Sequence, residues 1–336
     1  MKFTRYFAFA FNGTESRRSK LTLFVGATSL LLVSACQSGC GSGTIHWNQP
    51  PIPRPPTLYH AYVSTFNATI QRYDVPMYPT SAPSATVSVS SPGLMAEDQT
   101  GTLYVVQSSN FAGGDHVVAL TTSFGFTSSS TLFTLQVPKG TGHSEAPSAA
   151  AVAIDRAGNL YVSNPSDPSI NVYSAPVTGS STIAYRISSS FDIPGATCFD
   201  PTGDLFVADG PRIVMIPQPY VTSPRTSFAL TLYSATSVAC DSAGNIYVGG
   251  GTAHDKIDVY QPPYSASSSP AYSLNLPGSS QAYVAAVSFD PGGDLFATII
   301  DSGNDLLIEY TPPVTATSNP FLIYPLSNAN TVAAGP

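Results

Sequence analysis

Charge is what this chain of 336 residues has least of: only 10% of its positions are Asp, Glu, Lys or Arg. The 13 Lys and Arg are outnumbered by 20 Asp and Glu, so the basic patch that nucleic-acid binding requires is missing. Few stretches have helical periodicity; the apolar alternation is short and strand-like. The sequence also lacks a Gly-x-Ser-x-Gly elbow, a His-Glu-x-x-His helix and a phosphate-binding glycine loop. Gly249-Gly-Gly251 follows a strand but leads into no helix, and reads as a flexible inter-strand loop. What is plentiful is 30 Pro, 26 Gly and many Ser and Thr, a composition that favours an all-β fold.

One eleven-residue pattern, Ala153-Ile-Asp-Arg-Ala-Gly-Asn-Leu-Tyr-Val-Ser163, recurs along the chain. Related runs stand at Met95–Val105, Cys198–Val207, Ala239–Val248 and Ser288–Ala297. Copies at a roughly regular period mean a repeat architecture. Their common core is Asp-x-x-Gly-[Asn/Asp/Thr]-[Leu/Ile]-[Tyr/Phe], two β-rich runs joined by a short turn. Asp98, Asp155, Asp200, Asp241 and Asp290 are placed to accept an N–H two residues on. Gly101, Gly158, Gly203, Gly244 and Gly293 supply the positive φ of such a turn. Asp200 with Asp204, and Asp290 with Asp294, flank a glycine as in a calcium loop, but the alternating ligands and distal Glu of an EF-hand are absent. The turn is the better account.

Two positions before each Asp the residue is small: Ala96, Ala153, Cys198, Ala239, Ser288. This suggests a strand packed tightly around a common axis. After the turn comes an aromatic column, Tyr104, Tyr161, Phe206, Tyr247 and Phe296, with Tyr62 in an incomplete first copy. A third run follows, such as Ile170–Tyr173 or Leu307–Tyr310, then often a Pro, then a fourth, such as Thr131–Val137 or Phe228–Tyr233. Four short strands per repeat make the blade of a β-propeller.

Residues 1–35 read as an export signal: Arg17, Arg18 and Lys20 precede the apolar run Leu21–Val33, about 13 residues and short for a membrane span. The run ends Val33-Ser-Ala-Cys36, which resembles the bacterial lipobox; the resemblance implies cleavage before Cys36 and lipid on that residue. Residues 36–56 form a Gly/Ser- and Pro-rich tether. Residues 57–336 form the propeller. It begins mid-blade, with second, third and fourth strands at Ala61–Ser64, Ile70–Tyr73 and Ala85–Ser90, while Thr331–Pro336 matches the missing first strand. The two ends thus complete one blade. The expected fold is an all-β, six-bladed β-propeller closed by pairing of N- and C-terminal strands, a ring without exposed sheet edges.

The Asp-x-x-Gly-[Asn/Asp]-[Leu/Ile]-[Tyr/Phe]-Val core resembles the NHL-repeat group of six-bladed propellers, in the superfamily architecture shared with TolB and gluconolactonase-type hydrolases. The resemblance covers residues 57–336. It implies fold more than activity, because propellers host unrelated functions. Gluconolactonase-type enzymes hold a metal through acidic and Asn ligands at the channel mouth. The small column here offers no such ligands.

Without residues 1–35, which carry five basic residues and one acidic one, 8 Lys and Arg face 19 Asp and Glu, a net charge of −11. Cys36 is the lipidation site and Cys40 lies in the tether. Cys198 and Cys240 lie on inner strands of neighbouring blades but one residue out of register, so no bond is expected between them. The loops between second and third strands and between blades carry Asp115, His116, His143, Glu145, Asp209, Arg212, His254, Asp255, Asp301 and Asp305. Converging on the axis, these would bind a polar ligand or a divalent cation; the alternative is a solvated rim. The leading expectation is a monomeric, lipid-anchored, non-enzymatic module without cofactor, presenting a binding face to an envelope protein or glycan. The competing one is a metal-dependent hydrolase or lyase at the channel mouth.

Overall fold

The computed structural model describes residues 59–335 except 108–114, 123–125, 128–129, 139–148, 189–190, 224, 231–233, 252–254, 280 and 303. The signal, the tether and Cys36 lie outside the described residues.

Among the described residues, twenty-four strands form six four-stranded antiparallel sheets. Blade 1 holds β1 (Tyr59–Thr65), β2 (Thr69–Val75), β3 (Ala85–Ser88) and β24 (Ala329–Gly335). Blade 2 holds β4 (Pro92–Glu97), β5 (Thr102–Gln107), β6 (His116–Thr121) and β7 (Thr131–Gln136). Blade 3 holds β8 (Ala151–Ile154), β9 (Leu160–Asn164), β10 (Ser169–Tyr173) and β11 (Tyr185–Ser188). Blade 4 holds β12 (Pro194–Phe199), β13 (Leu205–Asp209), β14 (Arg212–Ile216) and β15 (Thr226–Ala229). Blade 5 holds β16 (Ala235–Cys240), β17 (Ile246–Gly250), β18 (Lys256–Tyr260) and β19 (Tyr272–Asn275). Blade 6 holds β20 (Tyr283–Phe289), β21 (Leu295–Ile300), β22 (Leu306–Tyr310) and β23 (Leu322–Pro325).

The repeated Asp-x-x-Gly segment is the hairpin between the first two strands of blades 2 to 6. Asp98 Oδ1 accepts the N–H groups of Thr100 (2.8 Å) and Thr102 (2.9 Å). Asp155, Asp200 and Asp241 bind the equivalent pair. The glycines adopt the left-handed conformation, from φ 79° at Gly101 to 88° at Gly203, where a Cβ would be strained. Closure is as expected: Tyr62 lies opposite Ala333 and Val63 opposite Val332, and the Ser64 and Thr331 hydroxyls meet at 2.7 Å.

Each aromatic of the column pairs across its hairpin with the small residue of the inner strand: Tyr104 with Ala96, Tyr161 with Ala153, Phe206 with Cys198, Tyr247 with Ala239, Phe296 with Ser288. All six aromatics are buried and pack in the seam toward the following blade. Tyr161 meets Phe199 edge-on at 4.8 Å, and Tyr247 meets Phe289 at 4.9 Å. Six hydrophobic clusters, each spanning two adjacent blades, make up the core.

This seam geometry corrects the expectation for the cysteines. Cys198 and Cys240 form a disulfide between β12 and β16, with Cα atoms 5.7 Å apart. Strand alternation does point them to opposite faces of their own sheets. But neighbouring blades stack with opposite faces together, so the forward face of blade 4 looks onto the backward face of blade 5, and the two sulfurs meet. A second correction concerns Gly249, which lies within β17 and not in a loop. A Cβ there would sit 2.6 Å from Val284 Cγ1 in blade 6, so the glycine permits a close approach of two blades.

A further repeated element joins third to fourth strands. After an exit proline, an apolar residue plugs the seam and a hydroxyl turn follows: Met77 then Tyr78–Ser81, Val177 then Thr178–Ser181, Tyr264 then Ser265–Ser268, Val314 then Thr315–Ser318. In each, the Ser hydroxyl accepts the N–H of the residue after the plug, at 2.8–2.9 Å. Phe126 with Thr127 and Ser130 repeats the bond at 2.8 Å. The plugs reach the preceding blade's aromatic: Phe126 lies 5.5 Å from Tyr62 and Tyr264 lies 5.0 Å from Phe206.

Candidate functional site

The inner strands β4, β8, β12, β16, β20 and β24 frame a cavity of about 230 Å³. Its walls come from one segment of each strand, including the small column Ala96, Ala153, Cys198, Ala239 and Ser288. An inner strand is paired on one side only, so some of its main-chain groups face the axis or the next blade. Hydroxyls satisfy part of this demand across the seams. Ser237 Oγ accepts the Val287 N–H (2.8 Å), Ser288 Oγ accepts that of Ala334 (3.0 Å), and Thr331 Oγ1 donates to the Gly93 carbonyl (2.8 Å). The lining supplies one carboxylate, Glu97, and two cysteines joined to each other. Such donors do not fit a three-ligand metal site. Among the described residues, no three His, Cys, Asp or Glu side chains are grouped to hold an ion.

The predicted loop residues do not line this cavity, and those described make the following contacts. Asp115 is buried and its Oδ2 accepts the Ala149 N–H at 2.8 Å, tying blade 2 to the start of blade 3. His116, at the start of β6, shares a hydrogen bond with Gln107 Oε1 at 2.7 Å. Asp209, with no exposed surface, accepts the N–H groups of Asp192 (2.9 Å) and Ile193 (2.7 Å) and grips Arg212 at 2.7 Å. Arg212 also reaches Asp192 at 3.2 Å. Asp301 receives both the N–H and the hydroxyl of Ser279, which hold its carboxyl below the usual range. Asp305 Oδ1 accepts the Asp301 N–H at 3.2 Å, and the carbonyl of Asp255 accepts from Leu276. His143, Glu145 and His254 lie outside the described residues.

Two other carboxyls, which sequence reasoning passed over, sit in the seams on either side of blade 1. Glu97 accepts hydroxyls from Tyr62 (3.1 Å) and Thr122 (2.8 Å), while its Oε2 is buried without a hydrogen-bond partner. Burial chiefly pushes this carboxyl up to about 7. Glu309 is 1% exposed, its Oε2 is likewise unpartnered, and burial, with Asp294 and Asp290 nearby, pushes it up to about 8. The signal that would have found them is a break in the repeat. Glu97 stands where the other blades have Ile154, Phe199, Cys240, Phe289 and Ala334; Glu309 stands where blades 2 to 5 have Ala119, Val172, Met215 and Val259.

No family model and no curated protein matches the chain. Solved structures do. A protein of unknown function from Bacteroides caccae superposes with a TM-score of 0.60 at 13% identity, covering 83% of this chain and 99% of its own. A protein from Lactobacillus plantarum gives 0.58 at 12% identity, with 82% and 99% covered. The RRP9 WD40 repeats give 0.53 at 12% identity, with 83% and 85% covered. The likeness is one of fold. It agrees with the six-bladed ring and carries no activity with it.

Proposed function

We propose that this chain is an exported, lipid-anchored β-propeller of the cell envelope, related to the NHL-repeat group, that binds an envelope protein or glycan without transforming it. The observation that carries the reading is the commitment of the loop-side carboxylates. Asp115, Asp209 and Asp301 spend their oxygens on backbone N–H groups of the blade connections, so they act as structural caps and not as ligands or acid–base groups. The same side carries two exposed apolar side chains, Phe66 between β1 and β2 of blade 1 and Ile193 ahead of β12 of blade 4, which a partner spanning that side of the ring would cover. The Cys198–Cys240 bond supports export, because such bonds persist in oxidising compartments.

Two measurements test this. Mass spectrometry of the mature amino terminus is expected to find acylated Cys36, and Cys36→Ser to leave unlipidated precursor; an acyl-free end elsewhere refutes the anchor. Titration with isolated envelope glycans and proteins is expected to give saturable binding weakened by Phe66→Ser with Ile193→Ser. A divalent metal that binds stoichiometrically and raises the melting temperature would favour a metal-dependent hydrolase or lyase instead.

A further inference from the structure

Blade 1 is the one blade assembled from both ends of the ring, and each of its two seams contains a glutamate, Glu309 buried and Glu97 half-buried with its Oε2 out of solvent. On the seam with blade 2, Glu97 lies against Tyr62 of β1 and against β24. A Cβ built on Gly335 would fall 1.9 Å from Glu97 Oε2, so the carboxyl is wedged onto the closing strand's backbone. On the seam with blade 6, Glu309 lies opposite Phe296, two residues from Leu307. Phe296 and Leu307 pack with Ala61, Val63, Tyr73 and Val332 of blade 1, so Glu309 shares that face. Each glutamate keeps one oxygen without a hydrogen-bond partner.

An ionised carboxylate buried this way costs far more than a neutral acid, which keeps a proton to ease the burial. The charges nearby decide whether anything offsets the cost. Around Glu309 the acting charges are those of Asp290 and Asp294, both acidic. From blade 1, Tyr73 faces this seam with its hydroxyl donated to Gln71, and Tyr324 of β23 packs on Tyr73 and donates to the Ser81 carbonyl. Around Glu97 stand Asp98, which repels, and Arg72, which attracts. Arg72 is partly engaged by the Thr122 carbonyl, by Ser84 and, at 4.0 Å, by Asp74. His60, on the same face of β1, is held against Asp74 at 3.1 Å.

We propose that Glu97 and Glu309 form a proton-operated latch on the closing blade, neutral when the ring is shut and weakening both seams of blade 1 when ionised. The sign follows from linkage. Both acids bind protons more tightly in the folded chain than the ordinary value near 4.5, up to about 7 and about 8 respectively. The folded state therefore holds more protons across that window, and stability falls as pH rises through it, levelling off above. The weakening is local to blade 1 and its two neighbours.

The test is thermal unfolding of the full chain, with Cys36 as it occurs, from about pH 5 to about pH 9. Wild type, Glu97→Gln, Glu309→Gln and the double variant are compared, with and without calcium. The wild-type melting temperature is expected to fall across this range, each single variant to lose part of the fall, and the double variant most of it. Hydrogen exchange, corrected for its intrinsic pH dependence, is expected to speed up in β1 and β24 at the alkaline end, relative to β8 and β12. A flat wild-type profile, or a slope that survives in the double variant, overturns the latch. So does exchange that rises equally in all blades. Calcium that raises the melting temperature of wild type but not of Glu309→Gln also overturns it, since a cation and not a proton would then neutralise blade 6.

Discussion

Replacing Cys198 and Cys240 together by Ala isolates the contribution of the one cross-link that ties two blades covalently among the described residues. The bond closes a loop of 42 residues. In the chain-entropy description, cross-linking removes about 2.1 + 1.5R ln n cal/mol/K from the unfolded ensemble, which for this loop is roughly 4 kcal/mol at room temperature. That is a large share of a typical stability of ~5–15 kcal/mol, and for a domain of this size it lowers the melting temperature by roughly 5–10 °C. The double variant leaves no unpaired thiol in the seam; Ala at 198 joins a column already occupied by Ala96, Ala153 and Ala239, and Ala at 240 matches Ala334 of blade 1, so little packing loss is added. Denaturant titration of wild type, reduced wild type and the double variant provides the assay. The last two are expected to coincide, both well below oxidised wild type. Non-reducing peptide mapping is expected to show residues 198 and 240 in one linked species. No linked peptide, or a variant as stable as oxidised wild type, refutes the reading of face-to-face blades on which the pairing rests.

Tyr161→Ala removes a buried ring from the seam between blades 3 and 4, together with its bonds to Asp155 and Tyr185, and is expected to cost ~3–5 kcal/mol by denaturant titration. Asp209→Asn replaces the carboxylate held by Asp192, Ile193 and Arg212 with an amide whose NH₂ cannot accept, and is expected to cost ~1–3 kcal/mol, with metal and ligand titrations unchanged. Deleting residues 331–336 takes away the strand segment opposite Tyr62 and Val63; light scattering is expected to show association through the two bared edges. A monomeric deletion variant with unchanged melting would argue against ring closure.

The blade plan was legible because its signals are local and repeated. Asp98-x-x-Gly101 and its four relatives fix a hairpin within five residues, and the missing first strand before Ala61 points to Val332 by simple complementarity. The hydroxyl turns were legible too, in Val177-Thr-Gly-Ser-Ser181 beside Tyr264-Ser-Ala-Ser-Ser268, but the fixed spacing after the prolines drew attention only to the prolines themselves. The disulfide was misread because alternation within a strand says which face a side chain takes, not which face of the next sheet it meets. The partners of the loop acids were not legible for a different reason: those of Asp115 and Asp209 include backbone N–H groups of connections that share no pattern from blade to blade. Sequence can place a carboxylate on a loop without revealing what it caps.

The antiparallel pairing of β24 with β1 sets His60 opposite Gly335, so the first and last described strands are nearest neighbours in one sheet. Joining them by a short covalent linker and cutting the chain within the connection between blades 3 and 4 would therefore yield a circular permutant in which every strand keeps its partners. In that permutant each blade, blade 1 included, would be built from one continuous run of chain, and the seam left to close without a covalent connection would be the one at Tyr161 and Phe199.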